Sequence, residues 1–99
     1  MFISYSELVD ECGKLLESEM PVVLVQIIHA RGHSAAYHLK LGVIPESNDK
    51  IIVKYQLPSM TDNPSVAQTW IETLLSHYPQ LAIHTYGAFK THSLPIENA

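Results

Sequence analysis

The sequence predicts a single α+β domain: a two-layer sandwich of order α-β-β-β-α-β, with a three-stranded antiparallel meander, a fourth strand, and both helices on one face. Three observations point there. A capped amphipathic helix opens the chain. Three strand-like stretches follow, joined by short polar connections. A second capped helix and one more strand complete the order. A chain of 99 residues suits one domain with one modest core. We expect that domain over residues 1–90, with 91–99 as a frayed tail because that stretch has no periodicity.

The first helix follows from its start signal. Ser4 and Glu7 make the S-x-x-E capping box, and Ile3 and Leu8 stand at the positions of a hydrophobic staple. Tyr5, Leu8, Val9, Cys12, Leu15 and Leu16 recur at helical spacing and form one apolar stripe. Glu7, Asp10, Glu11, Lys14 and Glu17 then face water. Gly13 interrupts the helix at a cost of about 1 kcal/mol relative to alanine, which is either tolerated or used for close packing. Pro21 closes the segment.

Residues 21–29 read as a strand. Val22, Val23, Leu24, Val25, Ile27 and Ile28 are almost continuous, the pattern of a strand covered on both faces. After a turn at Gly32, Tyr37, Leu39, Leu41 and Val43 alternate with His38, Lys40 and Gly42. A third strand alternates Ile51, Val53, Tyr55 and Leu57 toward the core with Ile52, Lys54 and Gln56 toward solvent. Asn63 and Pro64 form an N-cap and first-turn pair for the second helix. Val66, Ala67, Trp70, Ile71, Leu74 and Tyr78 lie on one face of it, with Trp70 expected as a core anchor near Val25, Leu39 or Val53. Residues 81–89 give the last strand. The expected sheet order is 3-2-1-4, with the doubly apolar first strand inside and the last strand parallel to it after a right-handed crossover; the rival order places the last strand beside the third. The third strand is then an edge.

Charge and composition narrow the function classes. The longest apolar runs are of strand length, so no membrane span is expected. The single cysteine, Cys12, cannot form an internal disulfide and falls on the apolar helix face, which fits a cytoplasmic protein with a buried thiol. The net charge of −4 argues against a nucleic-acid partner. So does the absence of an aromatic between Lys40 and Lys54 on the outward register, since stacking platforms need one. The six histidines are the compositional oddity, and His29, His33 and His38 cluster around the first strand turn. Neutral imidazole is a common metal ligand, but this spacing matches no standard metal motif and includes no cysteine or carboxylate. No nucleophile motif or Gly-rich phosphate loop is present either, so we expect no catalytic residues, no metal and no cofactor.

What remains is charge layout. Glu7, Asp10, Glu11 and Glu17 make the first helix acidic, while His38, Lys40, Lys54 and Gln56 fall on the outward register of the sheet. The leading expectation is a non-catalytic protein-binding module of the inhibitor, immunity or anti-defence (anti-CRISPR-like) kind, occluding a basic partner surface with that acidic helix. The sheet-face residues are the alternative site. A structural protein forming a homodimer through the third-strand edge is the second reading. A small histidine- or metal-dependent enzyme is the third.

The capping box generates a direct test. Ser4→Ala is expected to lower stability by about 1 kcal/mol. An unchanged unfolding midpoint would show that the box does not form.

Overall fold

The computed structural model describes residues 1–46, 49–87 and 94–98. Its elements are α1 (Tyr5–Glu17), β1 (Val22–Arg31), β2 (Ser34–Val43), β3 (Ile51–Gln56), α2 (Pro64–His77), β4 (Ala82–Gly87) and β5 (Ile96–Asn98). The sheet order is β4-β1-β2-β3-β5. β1–β2 and β2–β3 pair antiparallel, whereas β1–β4 and β3–β5 pair parallel. The expected 3-2-1-4 order and the parallel crossover are therefore present, with β5 added outside β3.

Local chemistry accounts for the element ends. The Ser4 side chain accepts from the Glu7 backbone N–H, and the Ser4 N–H donates to Glu7 Oε1 at 3.1 Å, closing the capping box. That arrangement holds the Glu7 carboxyl below its usual range, chiefly through the Ser4 hydroxyl and then its backbone N–H. α1 ends with Glu19 N–H donating to Leu16 O and Met20 N–H to Leu15 O. This is a Schellman turn, and it places Glu19 in the left-handed region at φ 58° where glycine is usual. The Asn63 side chain accepts from Ser65 N–H at the start of α2, with Pro64 in the first turn. β1 and β2 join through Gly32 and His33, Gly32 supplying the positive φ of 58° that the tight turn needs.

Both helices cover one face of the sheet. Leu8 and Cys12 of α1 and Leu74 of α2 pack with Val22, Leu24, Leu39, Leu41, Val43, Leu57 and Leu81. The helices lean on each other through Tyr78, whose hydroxyl donates to Val9 O at 2.9 Å. The Tyr78 ring lies against Gly13, where an added Cβ would fall 2.6 Å from the hydroxyl oxygen. Gly13 therefore serves close packing.

Four expectations need correction. The first is the alternation of β3. Pairing with β2 shifts between Leu41 and Gly42: Leu41 faces Tyr55, but Gly42 faces Val53, so Lys54 is an extra residue. This β-bulge turns Ile52 toward the helices and Ile51 to the opposite face. Gly42 is required there, because a Cβ would meet Ile51 Cγ2 at 2.7 Å and Ile52 O at 2.8 Å.

Second, the face away from the helices is not simply open. Val23, Val25 and Ile51 form a second buried cluster, with Ile27, Ile44, Tyr86, Leu94 and Ile96 packed on it. Third, β3 is not an edge. β5 pairs with Ile51–Val53, and the N-terminal segment bridges Phe2 to Gln56. Self-association through a free β3 edge therefore has no edge to use. Fourth, the end of the chain is not a frayed tail throughout. Ile51 N–H donates to Pro95 O and Ile96 joins the second cluster, so apolar burial holds this part as a strand. Residues 91–93 and 99 lie outside the described residues, as do residues 88 and 89 of the expected last strand.

The Gly13–Tyr78 contact can be measured. Helix propensity alone would make Gly13→Ala stabilising by about 1 kcal/mol. We expect no such gain, because the new methyl displaces the Tyr78 hydroxyl from Val9. In a Tyr78→Phe background the substitution should be more favourable. Equal effects in the two backgrounds, read from unfolding midpoints, would show that Gly13 is merely tolerated.

Candidate functional site

The acidic helix presents fewer free carboxylates than its sequence suggests. Glu7 is exposed but belongs to the capping box. Glu11 is half-buried and doubly engaged. Its Oε1 pairs with Lys14 Nζ at 3.2 Å, and its Oε2 accepts from the Tyr55 hydroxyl at 3.1 Å. Accepting that bond favours the protonated phenol and pushes Tyr55 above its usual range. Glu11 thus ties α1 to β3. Asp10 and Glu17 are exposed and are the α1 carboxylates whose charge is available to a partner.

The sheet-face residues are brought together in part. Lys40 pairs directly with Gln56 across the β2–β3 ladder and with Val25 of β1 on its other side. Directly paired residues share a face, so Lys40 and Gln56 stand on the face of the Val23–Val25–Ile51 cluster. His38 is two residues back on the same face of β2, half-buried, with Nε2 2.8 Å from Leu57 O. Lys54 does not join them in the ladder, being the extra residue of the bulge. Lys40 is partly desolvated, which lowers its pKa from the usual lysine value. Phe2 enters from the N-terminal segment. Its bridge to Gln56 places it on this same face, and it is 63% exposed. No sequence signal marks this neighbour, because a two-residue parallel bridge carries no periodicity.

Trp70 corrects an expectation. It is half-buried at the margin of the helix-side cluster, and its ring stacks on Tyr5 with centroids 6.4 Å apart. The Tyr5 hydroxyl donates to Trp70 O at 2.6 Å. Val25 belongs to the cluster on the opposite face, and Val53 pairs with Gly42 in the register of that face. The stripe of α2 is centred on Ala67 and Leu74, which turns Val66 and one side of Trp70 outward. Together with Ser65 and Thr69 they line a shallow groove of about 230 Å³, largely apolar.

The histidines are not gathered. His29 and His38 occupy one face of the β1–β2 hairpin and His33 lies in its turn, but His38 is held by Leu57 O while His29 and His33 are exposed. Among the described residues, no group of three or more histidine, cysteine, aspartate or glutamate side chains could hold a metal ion. His77 sits in the last turn of α2 with its ring near Tyr78, and His92 lies outside the described residues. No described helix is long and apolar enough to cross a membrane. Comparison with family models, curated proteins and solved structures finds no match to this chain.

Cys12 is fully buried between α1 and the sheet, and burial pushes its thiol up to about 11. A thiol so placed offers little thiolate at neutral pH. Cys12 should therefore resist a thiol-reactive dye at pH 8 in the native protein and react fully once the chain is denatured. Complete labelling of the folded protein within minutes would contradict this.

Proposed function

We propose that this chain is a non-catalytic protein-binding module that acts by covering a surface of its partner, in the manner of an inhibitor, immunity or anti-defence protein. The observation that carries the reading is the groove on α2. Val66 is 39% exposed there, beside a tryptophan whose backbone and ring are anchored by Tyr5. A rigidly held, partly exposed aromatic is the usual centre of a binding surface, since its burial adds affinity without ordering a flexible side chain. Exposed carboxylates stand on the same helix layer. Asp62 precedes α2, and the helix that begins at Tyr5 carries Asp10 and Glu17 outward. The partner that fits is a protein segment placing one apolar side chain among lysines or arginines. The free thiol suits a cytoplasmic setting.

The test uses variants that leave the core alone. Val66→Lys, and separately Asp10→Lys with Glu17→Lys, change exposed positions. The Val66 change costs about 1 kcal/mol from a positive charge near the start of a helix, besides the apolar contact that the partly covered side chain gives up. A partner captured by the wild-type chain should be lost from Val66→Lys and weakened by the double reversal. The remaining binding should fall with added salt, because exposed charges are screened over ~8 Å at physiological ionic strength. Full retention by both folded variants would remove this surface as the binding site.

A further inference from the structure

On the sheet face away from the helices, we propose that Lys40, Gln56 and Phe2 form a binding row for a nucleotide unit, with an oxyanion at Lys40 and a flat ring on Phe2. The row is set by backbone pairing. Val25 pairs with Lys40, Lys40 with Gln56, and Gln56 with Phe2, so these side chains stand side by side on one face. Neighbouring strands lie about 4.8 Å apart, which separates Lys40 from Phe2 by about 10 Å with the Gln56 amide between them. Cation, amide and exposed aromatic then follow in the order of a nucleotide's phosphate, linking sugar and base. An amide presents both donors and an acceptor, the groups that read a base or sugar edge.

Two members of the row, Lys40 and Phe2, are otherwise hard to explain. Lys40 stands beside the fully buried Val25, and water is partly withdrawn from its ammonium. Among the described residues no carboxylate pairs with it, the ion pairs there being Lys14–Glu11 and Lys50–Glu97. Partial withdrawal of water from a cation is costly, and an oxyanion ligand offsets that cost. His38 adds an imidazole near Lys40 on the same face, with Nε2 already committed to Leu57 O. Phe2 is 63% exposed, although Ile3, the next residue, is packed into the helix-side cluster. Base stacking on an exposed aromatic is the interaction that single nucleotides and single strands share. The acidic face of α1 lies on the other side of the sheet, so its charge is not aligned against the row.

The experiment is amide chemical-shift titration of the full chain with adenosine monophosphate, adenosine and inorganic phosphate at matched ionic strength. Adenosine monophosphate should shift the signals of Phe2, Lys40 and Gln56 and bind more tightly than either fragment. Lys40→Met should weaken it roughly tenfold, the loss of one charge-assisted hydrogen bond. Phe2→Ala should weaken it at least about fivefold. Lys54→Met, at the bulge, should bind as the wild type does. Lys40→Met should also melt no lower than the wild type, since it removes a poorly hydrated charge, so loss of binding will not reflect loss of fold. The proposal is overturned if adenosine monophosphate leaves these three signals in place. It is equally overturned if Lys40→Met or Phe2→Ala binds normally, or if Lys54→Met loses as much as Lys40→Met. An oligothymidylate of ten residues separates the sources. Tighter binding than the mononucleotide assigns the row to single-stranded nucleic acid, and equal or weaker binding assigns it to a free nucleotide.

Discussion

β1 is apolar on both faces, and this one fact obliges the rest of the chain to cover it twice. Val22 and Leu24 point to the helix side, while Val23 and Val25 point away, and all four are buried. Fully burying a side chain of this size contributes roughly 1.5–3 kcal/mol, so leaving either face wet would forfeit several such terms in a domain of marginal stability. α1 and α2 answer on one side. Leu94 and Ile96 answer on the other, and Tyr86 fixes the approach by donating its hydroxyl proton to Leu94 O at 2.8 Å. β5 is thus a consequence of β1. A three-residue strand has little stability of its own. It is held because Ile96 completes the second cluster.

The bulge in β3 is the device that lets one short strand serve both clusters. In a regular ladder Ile51, Val53 and Tyr55 would share a face. With Lys54 as an extra residue, Ile52 and Tyr55 belong to the helix side while Ile51 belongs to the other. Gly42 makes this possible by leaving room for Ile51 and for the Ile52 carbonyl. The same shift decides which polar groups meet. Gln56 comes opposite Lys40, and the free side of β3 is left for the N-terminal segment, which hydrogen-bonds Gln56 through Met1 O and Ile3 N–H.

Two distinct chemical surfaces result, one on each side of the sheet. The helix side carries the Trp70 groove and the exposed carboxylates of Asp10 and Glu17. The other side carries Lys40, Gln56 and Phe2.

Local signals were enough for most of the architecture. The capping box, the Asn63–Pro64 pair and the continuous apolar run of β1 act within a few residues, so helix starts and the interior position of β1 could be read directly. Cys12 as a buried hydrophobe followed from its place on a stripe. The site was less accessible for a physical reason. Register is a relation between strands, and one extra residue in β3 reverses which face each neighbour takes. Lys40 and Gln56 could be assigned to one face from their strands' periodicity. The expulsion of Lys54, the turning of Ile52 and the arrival of Phe2 beside Gln56 could not. Likewise the α2 stripe announces a buried face, but which of its margins stays open depends on where α1 packs. Only the tertiary structure decided that Trp70 would lie on Tyr5 at the rim, because that outcome is set by helices meeting across 65 residues of sequence.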